Sequence, residues 1–518
     1  MRTYFDEWKF RHPQPEDIEA TLERVSGKDL DWLFKDLIQT TNHVDFKICR
    51  VKKENDQTTI TVRNVGQVNG PIEVNLMSKG EVVATEWAEP GDRKRALSFK
   101  SDISFDEVRI DESKDIPEIW RSNNSWRAKG LFGKVEPLKM EFLIGDNETD
   151  KTNLFWTPVI AGNYYDKVML GAAIHNNAIP FNRFQYLIAP MYSFGRKSIS
   201  GLGEFSYTLL PKKLIKNARI GVSVKSFNSN SMTGFTEEIT PYFVYSPYFF
   251  AKLGNRTKSP FAHSLLIQMT SRSDLNVDAN TFELDQYRWR YNGYVVNYGM
   301  DYTRSDHRIS SDLRYEFVNS QYVTMERLML EGNYSFRYLK KSMKRWIELR
   351  AFAGTYLNFE TAYDAATTYT YPFAMSLSGT DGSQDLFFQN YFFGRGRVDG
   401  LWSQQRDENM GGFKSTAQFG TTTDWMLTGN LYIQLPVPKL NIFGAFADYG
   451  LFSNGISTSA AINTGLALRL GKVFGLYFPL WMSQELSDSF GNSSYAEKIR
   501  FTLKMNPVNG GLNLRNLF

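Results

Sequence analysis

The chain contains 518 residues, of which 15% are aromatic, and it carries a formal net charge of +4 at pH 7. No apolar run reaches the length of about eighteen residues that a membrane helix needs, and no basic cluster interleaved with aromatic residues indicates nucleic-acid binding. The single cysteine, Cys49, excludes an intrachain disulfide and a cysteine-based zinc site. No HExxH sequence or other catalytic or metal-binding motif occurs, so we predict no catalytic and no metal-ligating residue.

Residues 1–43 are predicted to form a short helical segment. Pro15 and Glu16 suit a first helical turn, where proline fits and a carboxylate faces the positive end of the helix dipole. Gly27 ends this helix, whose apolar residues recur at helical spacing: Ile18, Leu22 and Val25. A second helix is expected from Asp29. Helices this short need a packing partner. We expect that partner in a longer N-terminal part, because MRTYFDEWKF lacks the apolar core of a signal peptide.

Residues 44–112 are predicted to form an immunoglobulin-like β-sandwich. Six runs of alternating apolar residues are separated by turn signals such as Asn69-Gly70-Pro71 and Pro90-Gly91-Asp92. Short strands at this spacing are typical of such sandwiches. Residues 113–153 are rich in charged and turn-forming residues, and we expect them to form a connector.

Residues 154–518 are predicted to form a transmembrane antiparallel β-barrel of about sixteen strands, with about fourteen as the alternative. The last predicted strand, EKIRFTLKM, has a polar, basic face and an apolar face that should meet lipid: Ile499, Phe501, Leu503 and Met505. No amphipathic helix is predicted that would cover such faces, and lipid removes the need for one. The fold is therefore all-β dominated. The predicted strands are 154–160, 167–176, 184–193, 199–208, 217–227, 237–250, 261–272, 284–303, 308–319, 323–338, 345–357, 425–435, 440–451, 458–470, 474–484 and 497–505.

The longest connection in the predicted barrel, at about residues 358–424, is expected on the outer side, because short turns face the periplasm in such barrels. It contains Gly394-Arg395-Gly396, and the thirteenth strand contains Phe446, Asp448 and Gly450. Strand alternation places Asp448 in the lumen. There, a charge-assisted pair with Arg395 could hold the loop as a plug. A solvated glycine-rich surface loop is the alternative.

The N-terminal segment contains a distinctive order of residues: Tyr4-Phe5-Asp6-Glu7-Trp8, His12-Pro13, Asp17, Val25-Ser26-Gly27-Lys28-Asp29-Leu30, Trp32 and Phe34. This order resembles the end of the catalytic domain in the aminopeptidase N family of zinc peptidases, above all its Bacteroidetes-type members. That family places a β-sandwich directly after its catalytic domain. The resemblance implies that a zinc peptidase domain, acting on peptides, would precede Met1 and hold the zinc and the catalytic residues. This chain is then expected to hold no zinc and to be inactive by itself.

The loop sequence Phe392-Phe393-Gly394-Arg395-Gly396-Arg397 is followed one strand later by Phe446-Ala447-Asp448-Tyr449-Gly450. This arrangement resembles the sixteen-stranded barrels of outer-membrane assembly factors, two-partner-secretion translocators and bacterial surface antigens. In that superfamily the sixth outer loop folds into the lumen, and its arginine pairs with an aspartate of the thirteenth strand. The resemblance implies these roles for Arg395 and Asp448. Gly394 and Arg397 depart from the family's hydrophobic and aromatic positions, which leaves the packing of the loop tip open.

Three functional hypotheses follow. The first is the membrane-anchoring, C-terminal part of an aminopeptidase-N-like zinc metallopeptidase. The second is a transport or translocation pore of the surface-antigen type with a periplasmic accessory domain. The third is a structural anchor with a plugged lumen. In each, the lipid of a Gram-negative outer membrane surrounds the barrel, the N-terminal domains lie in the periplasm, and no nucleic acid is bound.

Overall fold

The computed structural model describes residues 1–518 except 55–56, 119, 129–137, 147–150, 180, 212–214, 231–238, 255–258, 275, 278–283, 286–289, 321–322, 340–344, 362–370, 398, 418, 439, 454, 472 and 505–518. The chain divides into two compact units. The first contains Met1–Trp156 and Asn176–Asn182, and the second contains Thr157–His175 and Arg183–Phe518. The predicted segments 1–43, 44–112 and 113–153 all fall within the first unit.

Three helical segments begin the first unit: α1 (Arg2–Trp8), α2 (Pro15–Ser26) and a π-helix (Trp32–Ile38). The start of α2 follows from its sequence, because Pro15 occupies the first turn and the Gln14 N–H donates to the Asp17 carboxylate at 2.8 Å. Gly27 ends α2 in the left-handed conformation, with φ of 67°. Among the described residues, no helix is both long and apolar enough to cross a membrane.

Seven strands form a sandwich in the first unit: β1 (Phe46–Lys53), β2 (Gln57–Asn64), β3 (Ile72–Ser78), β4 (Glu81–Ala88), β5 (Lys94–Lys100), β6 (Glu107–Ile110) and β7 (Ser125–Arg127). One sheet has the order β1-β2-β5 and the other β4-β3-β6-β7. Alternate residues fill the core between the sheets, such as Ile60 and Val62 of β2 and Leu97 of β5. The predicted boundary at residue 112 is too early, because β7 pairs with β6 from within the predicted connector.

Seventeen strands form a closed barrel, in the order β10-β11-β12-β13-β14-β15-β18-β19-β20-β21-β24-β25-β26-β27-β28-β8-β9. Their bounds are β8 (Leu138–Phe142), β9 (Thr152–Asn163), β10 (Lys167–His175), β11 (Phe184–Ser193), β12 (Ser198–Leu209), β13 (Ile215–Asn230), β14 (Ile239–Leu253), β15 (Phe261–Asp274), β18 (Arg290–Thr303), β19 (His307–Ser320), β20 (Val323–Leu339), β21 (Arg345–Thr361), β24 (Trp425–Gln434), β25 (Phe443–Ser453), β26 (Thr458–Leu470), β27 (Phe474–Met482) and β28 (Arg500–Leu503). Two small sheets accompany the barrel, formed by β16 (Asn276–Val277) with β17 (Leu284–Asp285) and by β22 (Met375–Ser376) with β23 (Thr421–Thr422).

The barrel confirms the predicted fold class. Each of the sixteen predicted strands has a counterpart in it, and the structure adds the short strand β8, which runs parallel to β9. Alternation separates the two faces, as on β24, where Asn430 is 6% exposed and faces inward while Leu427 is 47% exposed and faces outward. Asp448 of β25 also faces inward, as its position in the strand predicts, and its neighbour Tyr449 faces outward.

The two ends of the barrel differ. We call one the loop end, where β21 ends and β24 begins, because the long connection 362–424 leaves and returns there. The opposite end is the turn end, which carries the turns 304–306 and 471–473. The long connection therefore lies at one end only, as predicted, although short turns such as 164–166 and 194–197 occur at that end too.

The last predicted strand is shorter in the structure than in the sequence analysis. Two short helices, α3 (Gln484–Asp488) and α4 (Tyr495–Lys498), precede β28, and Ile499 lies between α4 and β28. The Ser494 N–H donates to the Glu497 side chain at 3.1 Å, and this capping box starts a helix where a strand was predicted. Phe501 is buried beside Trp402, so it does not present an open face to lipid. Leu503 is half-buried, and Met505 lies outside the described residues.

Candidate functional site: a loop plug in the barrel lumen

Part of the long connection lies inside the barrel. We call residues 371–397 and 399–417 the plug. Its backbone carbonyls accept hydrogen bonds from inward-facing side chains of several barrel strands, among them β13, β20, β21 and β24. The donor and acceptor residues are Lys225 and Phe388 (2.5 Å), Arg327 and Phe373 (3.2 Å), Arg350 and Met410 (2.7 Å), and Asn430 and Gly411 (3.1 Å). These contacts hold the plug at many points of the wall.

Arg395 organises the plug from within. Its guanidinium donates to the Asp385 carboxylate at 2.8 Å, to the Gly382 carbonyl at 2.9 Å and to the Asn390 carbonyl at 2.9 Å. It also lies over the ring of Phe388, with 4.2 Å between the guanidinium carbon and the ring centroid. All its described partners belong to the plug, so the predicted pair with Asp448 is not formed. The acid that Arg395 binds lies ten residues before it in the same loop.

Asp448 binds the plug through a lysine. Its carboxylate accepts hydrogen bonds from Lys414 Nζ at 3.0 Å and from the Lys414 backbone N–H at 2.8 Å. Two wall residues, Asn430 at 2.9 Å and Asn463 at 3.4 Å, complete the set of donors. Asp448 therefore binds the loop in the lumen through Lys414, and not through Arg395. Lys414 follows Gly411-Gly412-Phe413 and belongs to no Arg–Gly motif, so the motif did not indicate it.

The glycines of the two predicted motifs make room for the plug. A Cβ atom on Gly450 would lie 2.6 Å from Leu377 Cδ2 and 2.9 Å from Phe413 Cε2, so two plug side chains occupy the space above this glycine. In the loop, a Cβ atom on Gly394 would lie 2.8 Å from the Cβ atom of Trp402. Gly396 has φ of 82°, a left-handed conformation that favours glycine.

Two further wall residues complete the site. Phe446 is buried in the lumen and meets the ring of Tyr477 edge to face, with 6.1 Å between centroids. Arg500 of β28 is fully buried and donates to the plug carbonyls of Ser378, at 3.0 Å, and Phe413. Arg500 belongs to the basic face of the last predicted strand, and here it points inward to the plug backbone.

Polar cavities remain between the plug and the wall. One has a volume of about 530 Å³ and is lined by both charge signs, including Asp301, Arg308, Glu331 and Lys504. Another has a volume of about 420 Å³ and shares Glu331 and Lys504 with the first. The lumen of the barrel is therefore not filled completely by the plug.

One cluster of carboxylates lies outside the barrel. Glu19, Glu23 and Asp31 bring their oxygens within 4.8 Å of one another. Glu23 already accepts the Leu30 N–H at 3.0 Å, and Asp31 pairs with Lys35 at 2.5 Å. Because these groups already have partners within the chain, we assign no metal to them.

No protein-family model matches the chain, and no curated protein matches it. Among solved structures, it is similar to CdiB from Acinetobacter baumannii, with 9% identity and a TM-score of 0.32 over 65% of this chain and 60% of that one. It is similar to CdiB from Escherichia coli with 11% identity and a TM-score of 0.34 over 68% of this chain and 64% of that one. It is also similar to BamA from Haemophilus ducreyi lacking POTRA domains 1-3, with 9% identity and a TM-score of 0.35 over 68% of this chain and 71% of that one. The match spans less than two thirds of either CdiB chain. At these TM-scores the likeness carries no functional inference, and nothing in these comparisons supports an aminopeptidase.

Proposed function

We propose that the chain is an outer-membrane transport or translocation pore of the surface-antigen type, closed by its own plug. The observation that carries this proposal is the anchoring of a loop by buried charged groups in a lumen that also contains open polar volume. A barrel that served as a membrane anchor alone would not need a polar lumen with open volume beside the plug. In this proposal the outward apolar residues face outer-membrane lipid, the turn end faces the periplasm, and the first unit is a periplasmic accessory domain.

Planar-bilayer conductance tests this function. The unmodified protein is expected to be silent or to conduct weakly, because the plug fills most of the lumen. The double variant Lys414→Ala/Asp448→Ala removes one plug anchor and is expected to open frequent conducting events. The matched control is Asp31→Ala/Lys35→Ala, which removes an exposed lysine–aspartate pair of the first unit. Equal conductance in all three proteins would contradict the pore and favour a structural anchor.

A second candidate function is the anchor of an aminopeptidase-N-like zinc peptidase whose catalytic domain would precede Met1. The order of α2, its Gly27 terminus and the following sandwich favours it. The genomic sequence upstream of Met1 tests this candidate. An in-frame HExxH motif with a signal peptide would support it, and an in-frame stop codon after an unrelated gene would contradict it.

A further inference from the structure

The larger cavity reaches the turn end of the barrel. Its lining includes Thr303, the last residue of β18, Gly471 of the turn between β26 and β27, and Phe474, the first residue of β27. Asp301 and Arg308, also in its lining, are exposed. Towards the plug the lining continues to Lys414, Asn430 and Glu331. We call this space the vestibule. Its wall is hydrophilic and carries both charge signs along its length.

The smaller cavity extends the polar space further towards the loop end. It begins at the shared residues Glu331 and Lys504 and runs along β19 and β20 to Glu316 and Arg327. Arg327 is paired there with Glu316 at 2.5 Å. The lining on the plug side includes Phe387. Beyond this point the lumen holds a large cluster of buried apolar side chains, with buried polar residues such as Arg272 and Asn228 beside them.

An apolar layer surrounds the plug at the loop end. On the plug it consists of Phe373, Leu386, Phe387 and Phe388, all buried. On the wall it consists of inward side chains close to the loop-end termini of their strands: Met169, Met191, Phe227, Tyr242, Val244, Tyr291, Val295, Val318, Val323 and Met325. A second cluster extends the layer to β24, β25 and β26, where Met375, Leu377 and Phe413 of the plug meet Met426, Phe452 and Ala461. We call these two clusters together the collar.

The collar and the Lys414–Asp448 anchor involve different parts of the plug. Most of the aromatic side chains of the collar come from 373–388, and this segment also accepts hydrogen bonds from Lys225, Arg327 and Arg500 of the wall. The anchors to β25 and β27 come from Lys414 and Glu408, which lie outside this segment. A displacement of the phenylalanine-bearing segment therefore does not require the Lys414–Asp448 pair to break.

We propose that the lumen is a one-ended compartment for hydrophilic solutes, which enter it from the turn end and are stopped by the collar. Hydrated solutes and ions are disfavoured in a layer of buried apolar side chains, because they would lose their hydration and gain few partners. Opening then requires the segment 373–388 to move, and the Lys414 anchor can stay in place while it does. This inference deepens the proposed pore function and rests on it for the direction of transport only, since the sidedness of the vestibule is a property of the barrel alone.

Cysteine accessibility tests the sidedness. In a Cys49→Ser background, Ser310→Cys places a thiol in the vestibule wall. Ser305→Cys reports on the turn end and Ser457→Cys on the loop end, and both positions are exposed. A membrane-impermeant charged maleimide is applied to proteoliposomes. The preparation used is one in which Ser305→Cys and Ser457→Cys are labelled to different extents, so that the two ends of the barrel can be told apart. The labelled fraction at Ser310→Cys is expected to match that at Ser305→Cys. A fraction that matches Ser457→Cys, or no labelling at all, would overturn the proposal.

The collar is tested in the same assay. Adding Phe387→Ala/Phe388→Ala to the Ser310→Cys protein is expected to make the thiol reactive from both ends. Phe387→Leu/Phe388→Leu keeps an apolar layer and is expected to leave labelling one-sided, and heat-modifiable gel mobility reports whether each barrel is folded. Unchanged one-sided labelling in a folded alanine variant would overturn the role of the collar. One-sided labelling of the vestibule together with absent conductance in every plug variant would instead refute the pore function and leave the compartment standing.

Discussion

Lys414 of the plug and Asp448 of β25 form a buried ion pair, with 3.0 Å between Nζ and Oδ1 and side-chain exposures of 7% and 0%. Two asparagines of the wall donate to the same carboxylate. A buried carboxylate with this many donors is well satisfied, and its cost of burial is offset only while the partners remain. The pair therefore links the position of the plug to the integrity of the wall.

We predict that each single substitution at this pair is more harmful than the double one. Lys414→Met leaves Asp448 uncompensated, and breaking a buried pair in this way costs about 3–5 kcal/mol. Lys414→Met/Asp448→Leu removes both charges and should recover much of that loss. Urea unfolding in detergent is measured for Lys414→Met, Asp448→Leu and the double variant, and the three free energies of unfolding give the coupling between the two residues. Strictly additive effects would show that the two residues do not interact in the folded protein.

Arg395 is predicted to be needed for the internal fold of the plug. Arg395→Lys keeps the charge but loses the planar fork that reaches Asp385 and two carbonyls, and each hydrogen bond to a charged group contributes about 1.5–3 kcal/mol. Limited proteolysis should therefore cut residues 371–417 faster in this variant than in the unmodified protein. Arg397→Lys is the control, because the Asp399 partner of Arg397 is exposed. Equal cleavage rates in the two variants would contradict this role.

Gly450 is predicted to be required for seating the plug. A valine there would collide with Leu377 and Phe413, and overpacking of this kind costs about 1–3 kcal/mol. Gly450→Val should increase proteolytic cleavage of the plug and leave the barrel intact by heat-modifiable mobility. The control is Gly429→Val on the neighbouring strand β24, because a Cβ atom on Gly429 meets nothing within 4 Å. If both variants retain a protected plug, the close approach at Gly450 does not matter.

Glu118 in the first unit is predicted to make the sandwich lose stability as the pH rises from about 4.5 to about 7. Burial raises the pKa of the Glu118 carboxyl to about 7, from an ordinary value of 4.5, although Phe46 N–H and Asn124 Nδ2 donate to it. The folded state therefore binds more protons than the unfolded state between these two values. The free energy of unfolding must fall as pH rises through this window.

Replacement of Glu118 by glutamine should remove that loss. Since one unit of pKa corresponds to about 1.4 kcal/mol, Glu118→Gln is expected to flatten the stability–pH curve by up to about 3 kcal/mol. Hydrogen exchange of the β1 and β2 amides at pH 5 and pH 8, corrected for intrinsic rates, measures the change. Glu81→Gln on the exposed strand β4 is the control. A pH dependence that survives in Glu118→Gln would assign it to another group.

Much of the fold was predictable from strand periodicity. Alternation over nine or more residues defines which face of a strand is buried, so fifteen of the sixteen predicted barrel strands have long counterparts, and Asp448 faces the lumen as predicted. The sixteenth was predicted too long, because the Ser494–Glu497 capping box makes Tyr495–Lys498 helical where the strand was predicted to begin. The strand β8 was missed because Leu138–Phe142 is too short to show a period.

The partners within the lumen could not be predicted in the same way. Lys414 and Asp448 are 34 positions apart, and their contact depends on the path of an irregular loop that has no repeating pattern. Arg395 lies between the two glycines of the predicted motif, but its carboxylate partner, Asp385, belongs to the same loop. In both cases the charged group is buried in the lumen, so it pairs with the nearest group in space that can satisfy it. Separation along the sequence does not indicate which group that is.

The most direct test of a closed pore is single-channel conductance of a protein in which residues 371–417 are replaced by a short Gly-Ser linker. The barrel strands provide the wall, so folding can be checked independently by heat-modifiable mobility. We predict that the unmodified protein is nearly silent and that the folded deletion variant conducts ions steadily. Equal conductance of the two folded proteins would contradict the claim that the plug closes the lumen.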